Sequence, residues 1–312
     1  MKNRLSVTPL QRRQVVKTAR KIVLRAGLYV MLIALAFVFL QPFIYMLVNS
    51  FKTYSDVMNV SIKWVPREGT LKNWKLAADA LNLDTTLFNS VFVTVLATFG
   101  HLLSCSFVAY GFTRFNFPGK GILFAVVVLS IIVPVQTLSV PLYMLYSRLN
   151  WIGTYNPLIL PTFLGVGLSG GIFIFLFRQY YLSLPASLEE AAAIDGCSEY
   201  GTFFKIILPS TGSTFLVSMV LSFVWHWNDF FEPGLYINNT KRFLLPQMLP
   251  TLYDFFDKIA AGTSQESLET LLQYHAGVIM ASTLICVLPL LIMFLFLNNK
   301  FMQGIERTGL VE

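Results

Sequence analysis

Charged and apolar residues separate along this chain into long blocks. Six stretches hold no Asp, Glu, Lys or Arg: Ala26 to Val48, Ser90 to Tyr110, Gly121 to Leu145, Pro157 to Phe177, Pro209 to Trp227 and His275 to Leu297. A bilayer core about 30 Å thick is crossed by roughly 20 apolar residues of helix. An ionised side chain at a helix centre costs about 2.5 to 3.5 kcal/mol on insertion scales, so charge is expected between such helices and not within them. The pattern predicts six transmembrane helices, and the ten-residue alternation of barrel strands does not run through it.

The interval 184–209, between the fourth and fifth blocks, reads as two short helices with a break. Pro185 suits a first helical turn, Ser187 and Glu190 have the spacing of a capping box, the alanines favour helix, and Gly196 provides a stop. Ala192, Ala193 and Gly196 recur at three or four residues, which predicts a flat face that a partner's backbone can approach, with Glu190 and Asp195 beside it for charged contacts. Phe203, Phe204, Ile206 and Ile207 make the second helix apolar enough to pack under a bundle, and Pro209 marks entry to the fifth span. The expected architecture is an all-α membrane protein with a basic tail over 1–25, a six-span domain over 26–299 carrying a helical hairpin at 184–209, and a second tail over 300–312.

Composition agrees with lipid as the solvent: of 312 residues, 55% are hydrophobic and 12% charged. The first 25 residues carry eight Lys and Arg and no acid, which holds this end in the cytoplasm. With six spans both termini are cytoplasmic and the hairpin lies in the cytosol, in a multi-pass protein of the plasma membrane. On that topology fourteen Lys and Arg lie inside and nine outside, a bias that rests on the tail. The net charge of +7 owes most to the same tail, which suits an anionic inner leaflet and needs no nucleic acid.

Candidate chemistry is sparse. Cys105, Cys197 and Cys286 make no disulfide framework. His101 and Cys105 alone stand at a metal-ligand spacing, with no further ligand nearby in sequence, so no metal is expected. No nucleophile and base set marks an enzyme, and no catalytic residue is assigned. A Gly-x4-Gly-Lys-Ser/Thr loop is absent, so the phosphates of ATP have to be held by another chain. Related halves of the kind found in many secondary carriers are also absent, and six spans look like half of a transporter. Gly167 and Gly171 have the spacing that lets membrane helices approach closely.

The hairpin carries a resemblance. Glu190, Ala191 and Ala192, then Gly196 after three residues, then Ile206, Leu208 and Pro209 after nine more, match every position of the motif of permeases in binding-protein-dependent ABC importers. Ser50-Phe51-Lys52, Asn89-Ser90, Ala109 to Arg114, Phe117 to Lys120, Val133-Pro134, Pro141 to Tyr143, Trp227-Asn228 and Gln303-Gly304 extend the similarity over nearly the whole chain, closest to the sugar-import branch of the maltose and glycerol-phosphate type. The resemblance implies that residues 190–196, Asp195 among them, form a coupling helix seated in a cleft of an ATP-binding subunit, with Glu190 against a basic residue there, and that 206–209 transmit its motion. It implies a second permease subunit, an extracellular binding protein that delivers a sugar, oligosaccharide or polyol, and ATP and Mg used by the partner, with no cofactor bound by this chain.

Trp225-His226-Trp227-Asn228 at the outer end of the fifth span combines aromatic faces with polar groups, as sugar sites do, although Trp is equally the residue of interfacial belts. Tyr143 in the third span is a further candidate for the substrate pathway. The competing class is a stand-alone secondary carrier or channel in which the hairpin is only a gate. Spans free of charge lack the intramembrane carboxylate or histidine network that proton coupling uses.

Overall fold

Long helices fill the apolar blocks, and proline, glycine and asparagine decide where they end. The computed structural model describes residues 9–59, 61, 62, 64–252 and 276–309. Residues 253–274 of the expected outer loop and His275, which opens the sixth block, lie outside the described residues, as do 1–8 and 310–312 of the tails. Among the described residues the only extended pairing is one isolated bridge between Lys52 and Gly69.

Helix α1 (Pro9–Ser50) includes an apolar stretch that the rest of the chain leaves exposed from Arg20 to Tyr45, while Asn49 and Ser50 at its end are buried. The turn after it is locked from inside. Lys52 is buried and its Nζ donates to Ile62 O at 2.7 Å. Short α2 (Tyr54–Met58) comes next, and then α3 (Lys72–Ala80), whose Asn73 Nδ2 donates to Ser50 O at 2.9 Å and Lys52 O at 2.8 Å. This gives the Ser50-Phe51-Lys52 pattern a structural reason: its backbone carbonyls are the acceptors that hold α3.

Helix α4 (Leu83–Arg114) is the hub and packs against the helices of the fourth and fifth blocks. Near its start Asn89 Nδ2 donates to Lys241 O and Phe243 O, both at 3.1 Å, and Ser90 Oγ accepts from Leu245 N at 2.7 Å, pinning a distant loop. The third block does not run straight. It forms α5 (Lys120–Ile132), a 3₁₀ turn Val135–Leu138 and α6 (Ser139–Arg148), bent by 103°. Pro134 supplies no N–H and keeps Val133 extended at φ −74°, ψ 118°, which explains the break.

The fourth block is split as well, into α7 (Asn156–Phe163) and α8 (Gly170–Ser183). Gly167 lies in the gap with φ 106°, a region that glycine enters without strain, so it serves the break and not a helix face. Gly171 fits the close-packing expectation: a Cβ there would stand 2.9 Å from Val127 O, so α8 rides directly on the backbone of α5.

The chain continues through α9 (Ser187–Ile194), α10 (Glu199–Thr202), a π-helical turn Phe203–Ile207, α11 (Leu208–Ser210), α12 (Gly212–Asn228), α13 (Phe231–Tyr236) and α14 (Ala276–Gly309). The segment Glu199–Ser210 meets α12 at 79°. Helix α12 packs between α4 and α14, and α1 and α3 also pack on α14. Among the described residues three helices are long and apolar enough to cross a membrane alone, and the two bent pairs raise this to five. The fourth block misses that measure because its break leaves pieces of 8 and 14 residues.

Candidate functional site

The site begins at the first turn of α9. Glu189 N and Glu190 N donate to Ala186 O at 3.0 and 3.1 Å, so Ser187 already lies inside the helix and the anticipated Ser187–Glu190 capping box does not form. At the other end Gly196 N donates to Ala193 O at 3.1 Å and Cys197 N to Ala192 O at 2.9 Å. Gly196 closes this Schellman turn with φ 76°, which makes it the stop the sequence predicts. Ser198 then caps α10 by accepting from Gly201 N at 3.2 Å.

Exposure divides the hairpin. Ala192 is buried, so the flat face expected of Ala192, Ala193 and Gly196 is split: the first turns inward and the other two face out. Ala192 is 3% exposed, so a larger side chain there would have to displace what covers it. Glu190, Ala191 and Asp195 are exposed, and beside them Ile194 exposes a large apolar surface at 86%, while Tyr200 lies across Phe107 of α4, ring centroids 6.0 Å apart. Past the turn, Phe203 and Ile207 are fully buried while Phe204 stays half exposed. Ile206 and Leu208 pack partly on the same core, whereas Pro209 is exposed.

Arg114, the last residue of α4, reaches the root of this hairpin. Its Nε donates to Glu189 Oε1 at 2.7 Å and an Nη donates to Leu184 O at 3.1 Å. In the sequence Arg114 closes a motif of the second block and Glu189 carries no role of its own, because no local spacing joins residues 75 apart.

The four consecutive residues at the end of α12 do not form one surface, because successive helical positions point about 100° apart. Trp227 is 1% exposed, and its Nε1 donates to Cys286 O at 3.0 Å. Trp225 packs on Phe173, ring centroids 5.3 Å apart. His226 Nδ1 donates to Ser222 O at 2.8 Å, and its ring lies 4.9 Å from that of His101, whose Nε2 donates to Val166 O at 3.2 Å. That pairing escaped the sequence, where the two histidines are more than a hundred residues apart and share only their position in apolar blocks.

Asn228 is exposed and lines a cavity of about 230 Å³ with Trp227, Phe230, Pro246 and Thr283. Tyr143 lies in a separate hollow of about 220 Å³ with Ser139, Met144 and Leu235. Beyond α12, Asp229 Oδ1 accepts from Phe231 N at 3.0 Å and Glu232 N at 3.3 Å. Burial, and then the charge of Asp229, push the Glu232 carboxyl up to about 8. Burial likewise raises Asp229. Among the described residues no group of three His, Cys, Asp or Glu could hold a metal ion.

Comparison with known proteins places this geometry. The arabinooligosaccharides transport system permease protein AraQ of Halalkalibacterium halodurans is 30% identical, covering 88% of this chain and 92% of AraQ. The probable starch degradation products transport system permease protein AmyC of Thermoanaerobacterium thermosulfurigenes is 29% identical, with the same 88% and 92% coverage. A crystal structure of a bacterial ABC transporter involved in the import of the acidic polysaccharide alginate includes a chain with the same fold, at a TM-score of 0.74 and 18% identity over 90% of this chain and 98% of that one. The model of the binding-protein-dependent transport system inner membrane component family matches residues 101–307, from the hub helix through the hairpin and into α14. A multi-pass helical bundle with one helical elbow standing out of it is therefore accounted for: the chain belongs to the family of binding-protein-dependent transport system inner membrane components.

Proposed function

We propose that this chain is the permease subunit of a carbohydrate importer, with six spans, both termini in the cytosol, and α9 docked in an ATP-binding subunit. The observation that carries the docking role is the exposed side of the hairpin. Ile194 stands in the open at 86% exposed, one turn from Glu190 and adjacent to Asp195, an apolar side chain edged by charge of the kind that partner proteins cover. Names of relatives support the cargo class, since they specify arabinooligosaccharides, starch degradation products and lactose, all of them carbohydrates.

Transport then proceeds by alternating access. An extracellular binding protein delivers substrate to the outer side, two permease subunits form the route, and ATP with Mg is bound and hydrolysed by the partner. Closure of the ATPase moves α9, and the buried anchors Phe203 and Ile207 pass the displacement through 206–209 into α12. Asn228 and Tyr143, exposed in their two hollows, are the pathway residues best placed to meet substrate. Trp227 lines the cavity beside Asn228, and Trp225 and His226 pack on Phe173 and His101.

Glu190→Lys in the full importer is the direct test. It places a like charge against the basic residue expected in the ATPase cleft, and losing such a contact at about 1.4 kcal/mol or more lowers coupling roughly tenfold. Uptake is expected to fall by that factor while ATP hydrolysis stops responding to the binding protein. Unchanged uptake with unchanged stimulation would contradict the reading.

A further inference from the structure

We propose that Arg114 is a positioning residue that ties the root of the hairpin to α4, so that motion of the docked helix enters the bundle through α4 as well as through α12. The proposal rests on the docking reading above and adds a second route to it. Three chain segments meet at one guanidinium. Arg114 ends α4, Leu184 succeeds α8 as its C-cap and offers a carbonyl at a helix end where such groups lack partners, and Glu189 sits in the first turn of α9. The planar fork of arginine satisfies the carbonyl and the carboxylate together from two separate nitrogens in a fixed geometry, which the single nitrogen of a lysine does not reproduce. Both charged side chains are four-fifths covered, at 18% and 19% exposed, so water screens the pair less than it screens a surface pair.

Neighbouring residues on a helix point about 100° apart, and here that divides the labour of two adjacent acids. Glu189 turns inward to Arg114, whereas Glu190 stays exposed for a partner. The far root of the hairpin is held by the same helix: Phe203 lies 5.1 Å from Tyr110 and 5.2 Å from Phe107, both on α4. A hairpin gripped by α4 at both ends cannot shift without carrying α4 with it, and α4 packs on α7, α8 and α12.

The test uses the whole importer in lipid, with spin labels on the native Cys197 and, through Phe88→Cys, on the outer end of α4. Distances are measured without nucleotide and with ATP and vanadate. In the unsubstituted background the Cys197–88 distance is expected to stay fixed, because hairpin and helix move together. Arg114→Glu and Glu189→Arg are each expected to shift it by up to about one helical turn, roughly 5 Å, on adding ATP and vanadate. The charge-exchanged double variant is expected to restore the fixed distance. A static staple would make no difference that depends on nucleotide, so single variants that keep the fixed distance, or a double variant no tighter than the singles, would overturn the proposal. Should Arg114→Glu fail to accumulate, Arg114→Lys and Glu189→Gln make the same comparison. Failure of the ATP-binding subunit to copurify with the unsubstituted chain would overturn the docking reading, and this proposal with it.

Discussion

Trp227 and Asn228 are neighbours with opposite fates. The indole is enclosed between Phe223 and the α14 backbone, and the amide beside it faces an open cavity. Trp227→Ala is expected to cost about 3 kcal/mol or more, in the range of buried aromatics, read as a lower Tm of the detergent-solubilised protein. Asn228→Ala is expected to leave Tm unchanged and to lower uptake, and the reverse pair of results would exchange their roles. Glu232 makes a pH prediction of definite sign. Its folded carboxyl is raised from 4.5 to about 8, so between those values the unfolded chain releases a proton that the folded chain keeps. Stability is therefore greatest below pH 4.5 for this group and falls as pH rises toward 8. Asp229, raised by burial as well, acts in the same direction. A Tm that declines from pH 5 to pH 8 and is flattened by Glu232→Gln is expected; identical slopes in both proteins would refute it.

Among elements, the hairpin was the most legible in sequence, because Gly196 and the alanine run act locally. A glycine stop and a helix former express themselves within one turn, and the break falls at Gly196 as read. The inward turn of Ala192 was not legible, since it depends on what lies beneath α9 and not on its own composition. The apolar blocks located the long helices but not the bends. Hydropathy reports solvent and is silent about hydrogen bonds, so a run such as Gly121 to Leu145 looks continuous although Pro134 removes a donor in its middle and the helices turn by 103°. The candidate substrate cluster divides for a similar reason: four adjacent letters on a helix distribute over its whole circumference, burying Trp227 and leaving Asn228 exposed at a cavity. Contacts between distant segments, Arg114 with Glu189 and His101 with His226, leave no mark in any local window.

For the whole molecule, the surfaces left uncovered indicate how it works. The apolar stretch of α1 is exposed from Arg20 to Tyr45, and the hairpin leaves Ile194 in the open while the Tyr200 ring lies on Phe107 of α4. Helix α4 clamps the loop after α13 through Asn89 and Ser90 at one end and the hairpin through Arg114 at the other. An importer subunit of this family needs such a shaft, because energy released in a separate chain has to reach the substrate route. The most direct measurement is site-specific photocrosslinking from position 194, introduced by replacing Ile194 with a photoreactive amino acid in the assembled importer. The account predicts a single product joining this chain to the ATP-binding subunit, together with protection of that position from membrane-impermeant reagents added outside the cell. Labelling from outside, or a product that lacks the ATP-binding subunit, would contradict it.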